Sequence, residues 1–192
     1  VKDALAAIST ICITTDLPNL FNMSTPTGTS RGIYSNPGDR GFSAERAATL
    51  EMINPPDALN PNGTSEFKVN CGIRIRGGYS GSTDNPKHAF HFYFREEYGD
   101  PKLEYPLFGR FGADEFDQID LRTAQNYSWS FGGDGNNTFL REEATRLAQI
   151  EMGHVSSHLR YVHLYINGIY WGLFNTDERT EASFAESYFG GS

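Results

Sequence analysis

The sequence has little that covalent cross-links or metals could fix in place. Its 192 residues include only two cysteines, Cys12 and Cys71, too few for a disulfide framework and enough for either one bridge or two free thiols. Strand alternation puts Cys71 on an apolar face and Cys12 opposite Ile11 and Ile13, which argues against a bridge. No stretch approaches the roughly 18 to 20 apolar residues of a membrane-crossing helix, so no spanning segment is expected. Lysine is scarce, four residues against twelve arginines, and 16 basic residues face 24 acidic ones for a net charge of −8. Neutralising a phosphate backbone needs the opposite balance, so nucleic acid is not an expected partner. The chain also lacks a Gly-x-Ser-x-Gly elbow, a Walker A sequence, and the His-Arg-Asp and Asp-Phe-Gly motifs of ordinary protein kinases. These absences remove serine hydrolases of that type, P-loop NTPases and standard kinases. There is no internal repeat and no low-complexity tract.

What is present is a globular composition rich in aromatics, with 38% hydrophobic residues, fourteen Phe and ten Tyr. That favours a sheet-rich fold or an adhesive surface. Alternation predicts strands at Ser9 to Thr15, Arg46 to Ile53, Phe67 to Arg76, His88 to Arg95 and Phe116 to Thr123. A final hairpin, Tyr161 to Ile166 and Ile169 to Asn175, flanks Asn167-Gly168, the preferred pair for a type I′ turn. Asp16 to Asp39 reads as a long loop. A helix is expected over about Phe139 to Met152, with Leu140, Ala144, Leu147 and Ala148 as its apolar stripe and Gly153 as its stop. A second helix begins near Thr180. The sum is an α+β fold: a mainly antiparallel sheet of five or six strands, one long helix and large loops.

Four groups of residues are chemically suggestive. Gly77 to Lys87 connects two strands at greater length than a standard hairpin. Its glycines Gly77 and Gly78, hydroxyls such as Ser80, and Asn85 can turn backbone N–H groups toward an anion, with Arg74, Arg76 and Lys87 adding charge beside it. The same composition suits a flexible hairpin with solvated arginines. Glu143 shares the helix face of Leu140 and Leu147. A carboxylate there is either paired, with Lys87 or Arg74 in reach, or it is a helix-edge acid in water. His154, His158 and His163 lack the acid or thiol spacing of a zinc site, and no metal ligands are assigned. Asp134, Asn136 and Asn137 form an oxygen-rich loop better explained as a solvated turn than as a calcium site.

Several stretches together resemble the CotH family of atypical kinases, in its large bacterial secreted branch. They are Phe67 to Gly78 followed by Asn85 to Phe90; Leu121 to Tyr127 followed by Asn137 to Glu143; and Tyr161 to Phe174 running into Asp177 to Thr180. The resemblance covers about residues 10 to 190. It implies the N-terminal lobe of an atypical protein-kinase-like fold, with ATP and Mg²⁺ as cofactors, transfer of phosphate to Ser/Thr of secreted or coat proteins, and an extracellular or cell-surface location. By that analogy the Gly77 loop covers the phosphates, Lys87 grips them, Glu143 orients Lys87, and Phe174 to Arg179 lies near the adenine. The expected cofactor-binding set is therefore Gly77, Gly78, Ser80, Lys87, Glu143, Arg74 and Arg76, with the catalytic residues unassigned. The family's catalytic aspartates lie downstream of the segment like Asp177 to Arg179, and Asp177 is in the wrong element for a catalytic base. The expectation is one domain over 1–192, lobe-like over 9–176 and entering a second lobe at 177–192, inactive by itself. The alternatives are a surface adhesion module that binds carbohydrate or protein, or a structural coat protein without catalysis.

Overall fold

A computed structural model describes residues 2–55, 61, 63–78, 81, 83, 87–109, 112–123 and 138–190. Along the chain the strands are β1 (Thr10–Thr14), β2 (Ser24–Thr25), β3 (Gly28–Thr29), β4 (Arg46–Asn54), β5 (Thr64–Ile75), β6 (Phe90–Tyr93), β7 (Leu103–Glu104), β8 (Glu115–Phe116), β9 (Gln118–Arg122), β10 (Leu159–Ile166) and β11 (Ile169–Glu178). The helices are α1 (Lys2–Leu5), α2 (Leu17–Leu20), α3 (Arg141–Glu151) and α4 (Ala182–Phe189).

Seven strands close into a barrel in the order β1-β10-β11-β9-β6-β5-β4, while β2-β3 and β7-β8 are separate two-stranded ribbons. This corrects the expected α+β, kinase-lobe-like sheet with one long helix. The fold is mostly sheet, seven of its strands form a closed ring, and among the described residues the longest helix has 11 residues. The physical reason lies in β1. It runs parallel to β10 on one side and antiparallel to β4 on the other, so it joins what would otherwise be two exposed edges. Alternation along a strand shows which faces are apolar but not which strands are neighbours, and closure depends on the neighbours.

The inner face carries the core. Ile11, Leu50, Met52, Cys71, Ile73, Phe90, Phe92, Ile119, Leu121, Val162 and Leu164 are each fully buried. Phe90 packs on Phe92 and on Phe174, with ring centroids 6.4 and 6.2 Å apart. Each such ring contributes about 1.5–3 kcal/mol by burial. Both cysteines are free thiols, with Cys71 inside the barrel; its burial pushes the thiol up to about 12.

The β10–β11 hairpin forms where the sequence places it. Asn167 and Gly168 both have positive φ, 49° and 81°, as a type I′ turn requires. Strand β11 runs on through Glu178, so Asp177 and Glu178 belong to the barrel. Helix α3 exists, but its stripe is reversed. Leu140, Leu147 and Met152 are 55%, 51% and 66% exposed, while Glu142 and Arg146 turn toward the barrel and are only partly accessible. Ion pairs of Glu142 and Arg146 with Arg122 and Asp177 set this orientation.

Candidate functional site

The site is built on the outer face of the sheet, where direct cross-strand register aligns one residue from each of four neighbouring strands. Arg74 of β5 stands opposite His91 of β6, His91 opposite Asp120 of β9, and Asp120 opposite Asp177 of β11. These positions alternate with the apolar residues that fill the barrel, so their outward direction follows from the core pattern. They are nevertheless covered: Asp120 and Asp177 are almost completely buried. Buried carboxylates require partners, and arginines supply them.

Arg76, just beyond β5, donates from Nε to Asp120 Oδ2 at 2.5 Å, and His91 Nδ1 hydrogen-bonds the other oxygen, Oδ1. Arg122 reaches Asp177 Oδ2 at 3.2 Å and pairs with Glu142 of α3. From α3, Arg146 pairs with Asp177, with Glu142 at 2.6 Å, and with Ser157 Oγ at 2.5 Å. Arg179, directly after β11, donates to Gln118 Oε1 at 2.9 Å and pairs with the more exposed Glu181. Arg76, Gly77, His91, Arg122, Arg146 and Arg179 line a polar cleft of about 350 Å³ with Asp120 and Asp177 at its base.

The two aspartates titrate in opposite directions. Burial pushes Asp120 up, but the hydrogen bond and charge of His91 and the Arg76 guanidinium outweigh it, leaving the carboxyl below its ordinary value. At Asp177 burial prevails over Arg146 and Arg122, with the charge of Asp120 adding to it, and the carboxyl lies above its ordinary value. Burial holds His91 below its ordinary value against the pull of Asp120, which keeps the imidazole neutral near pH 7.

Of the residues nominated from sequence, Arg76 and Gly77 line this cleft. Gly77 has φ 89°, a conformation that favours glycine, and its carbonyl accepts a hydrogen bond from Arg40 at 2.5 Å. Gly78 is exposed beside it. Arg74 is occupied by Tyr93, through a hydrogen bond to the hydroxyl and a guanidinium 5.1 Å from the ring centroid. Lys87 lies elsewhere: Nζ donates to the Leu173 carbonyl at 3.0 Å and sits 5.0 Å from the Phe174 ring centroid. Its burial lowers the ammonium pKa. Ser80, Asn85 and Asp134 to Asn137 fall outside the described residues. On α3 it is Glu142 that pairs with a strand cation, Arg122. Glu143 lies near Tyr161, whose hydroxyl is raised to about 12 first by burial and then by that acid.

The histidines serve other ends. His163 contacts the Ala4 carbonyl at 3.1 Å and the Tyr170 hydroxyl at 3.2 Å. His158 Nδ1 pairs with Glu178 at 2.8 Å, and the Tyr188 hydroxyl donates to the same carboxylate at 2.6 Å, which ties α4 to the barrel. Among the described residues no group of three or more His, Cys, Asp or Glu is placed to hold a metal ion.

Sequence reading did not nominate His91, Asp120, Arg122 or Arg146, and it placed Asp177 and Arg179 only within a segment near the adenine. The available signal was a charge inside an apolar strand, as in Ile119-Asp120-Leu121. Its meaning appears only when β6, β9 and β11 are set side by side. A profile of the family described as CotH kinase protein matches residues 73–191, more than half of the chain and all of the cleft's lining. No curated protein matches.

Proposed function

The chain belongs to the CotH kinase family, and we propose that its arginine-lined cleft receives the phosphates of ATP in transfer to Ser or Thr hydroxyls of secreted or coat proteins. One observation carries this reading. Glu142 of α3 pairs with Arg122 of β9 beside a cleft into which Arg76, Arg146 and Arg179 also converge. Guanidinium forks suit phosphate oxygens because two parallel N–H donors match two oxygens of the group. Phosphoryl transfer depends mainly on such positioning and charge neutralisation.

The acids of the cleft divide by accessibility. Asp120 and Asp177 are 2% and 5% exposed at the side chain, whereas Glu142 and Glu181 are 22% and 42% exposed. Asp120 and Asp177 therefore hold the arginines in place. Glu181 is the partner that an incoming phosphate exchanges for on Arg179, and Glu142 fixes the direction of Arg122. Gly77 brings backbone to the same rim. Asp120 and Asp177 are both engaged by arginines, so neither is assigned to magnesium. No step is assigned to it.

Calorimetric titration of ATP into the 192-residue chain tests the reading. Saturable binding that inorganic triphosphate competes away is expected. Absence of binding at millimolar ATP would sink it.

A further inference from the structure

We propose that α3 joins two copies of this chain through an antiparallel, two-fold helix pair. This does not rest on the nucleotide reading, because it concerns the opposite face of the helix. Glu142 and Arg146 are held against the barrel by Arg122, Asp177 and Ser157. That anchorage fixes the rotation of α3 and turns Leu140, Ala144, Leu147 and Ala148 outward. No residue of the helix is buried, and Leu140, Leu147 and Met152 are each more than half exposed. Large apolar side chains grouped on one helix face and left in water mark an interaction surface.

The stripe indicates what covers it, because it complements itself when reversed. On the face opposite Arg146 the small residues Ala144 and Ala148 lie between the large Leu140 and Met152, with Leu147 at the edge of that face. Set antiparallel across a two-fold axis, Leu140 meets Met152 of the partner subunit and Ala144 meets Ala148 of the partner subunit. The two alanines allow close approach of the backbones at the crossing. In the same register Arg141 faces Glu151 of the partner subunit, and both Arg141 and Glu151 are exposed and free to swing across the seam. Opposite charges equidistant from the helix centre are what an isologous contact uses twice; an unrelated partner requires no such symmetry. The 11 residues of α3 span only about 16 Å. The contact is then well below the roughly 1,200 Å² of a standard interface, and the dimer is weak and concentration-dependent.

Sedimentation velocity over about 10 µM to 1 mM, alongside thermal melting to verify folding, tests the proposal. Wild type should pass from monomer to dimer. Arg141→Glu and Glu151→Arg each place like charges opposite one another and should weaken dimerisation about tenfold, since each change acts at two symmetry-related pairs. The double variant Arg141→Glu/Glu151→Arg restores both pairs and should return to within about threefold of wild type. Ala144→Glu, at the crossing, should be monomeric throughout. A wild-type monomer at every concentration would overturn the proposal, as would a dimer indifferent to the single changes. So would a folded double variant that fails to recover, since that result places the contact on another face or in another register.

Discussion

Asp120 and Asp177 face each other directly across β9 and β11, yet one carboxyl is held below its ordinary pKa and the other above it. The neighbours explain the difference. Asp120 has His91 and Arg76 on its two oxygens. Asp177 has Arg122 and Arg146, but these do not outweigh its burial, to which the negative charge of Asp120 adds. Environments that push paired carboxylates apart are common where charge is to be managed rather than merely buried.

Linkage makes the stability contributed by these two carboxylates depend on pH in opposite senses. Asp120 sits below its unfolded value of 3.8, so its contribution to stability is present above that pH and lost as pH falls through the folded value. Asp177 sits above 3.8, so its contribution is present below that pH and lost as pH rises through the folded value. The cost of Asp120→Asn should therefore grow, and that of Asp177→Asn shrink, as pH rises from about 3 to 7. Urea denaturation of both variants across that range checks this. Costs that move in the same direction would refute the opposite shifts.

Substitution at two glycines should separate a structural position from a permissive one. A Cβ at Gly32 would lie 2.2 Å from the Phe21 backbone nitrogen, so Gly32→Ala must displace main chain and should cost at least about 1–3 kcal/mol. A Cβ at Gly78 meets nothing within 4 Å. Gly78→Ala should leave the melting temperature unchanged, which makes it a clean probe of the loop's part in ligand binding.

Asn167 does more than turn the hairpin. Its side chain accepts from the Thr15 amide at 3.0 Å and donates to the Thr15 carbonyl at 2.9 Å, fastening the end of β1 to the β10–β11 turn. Asn167→Ala loses both hydrogen bonds and a residue suited to positive φ. It should cost about 1–3 kcal/mol, read by thermal melting, without altering ATP affinity.

The two neighbouring acids of α3 are separable. Glu142→Gln removes the ion pairs with Arg122 and Arg146 and should weaken ATP binding about fivefold by releasing Arg122 from its position. Glu143→Gln should leave binding unchanged. Glu181→Gln removes the carboxylate that competes for Arg179 and should tighten it. Calorimetry on the three variants reads all of this, and equal effects at Glu142 and Glu143 would contradict the assignment.

How much of this was legible beforehand depended on how far apart the interacting residues lie in sequence. Asn167-Gly168 announced its hairpin because turn chemistry is local. The apolar alternation of β4, β5 and β6 was equally plain. Barrel closure was not, because β1 pairs with β10 some 150 residues later, and nothing in Thr10 to Thr14 names its partner. The stripe of α3 misled for a related reason. Leu140 and Leu147 suggested an inward face, but Arg122, Arg146 and Asp177 hold the helix by its polar side. Arg76 and Gly77 were found because they border a recognisable loop. His91 and Asp120 were missed, and Asp177 lacked its partners, because only cross-strand register brings them together.

The central claim is that phosphates go to the arginine cleft. The most direct measurement is ATP affinity, by calorimetry, for Arg179→Gln beside Lys87→Met, with melting temperatures confirming that both fold. Arg179→Gln, whose guanidinium lines the cleft, should lose about tenfold, and Lys87→Met, whose ammonium lies on the Leu173 carbonyl, should change by less than about threefold, given the strength of a charge-assisted contact. A large loss at Lys87 with none at Arg179 would contradict that claim and move the nucleotide away from the cleft.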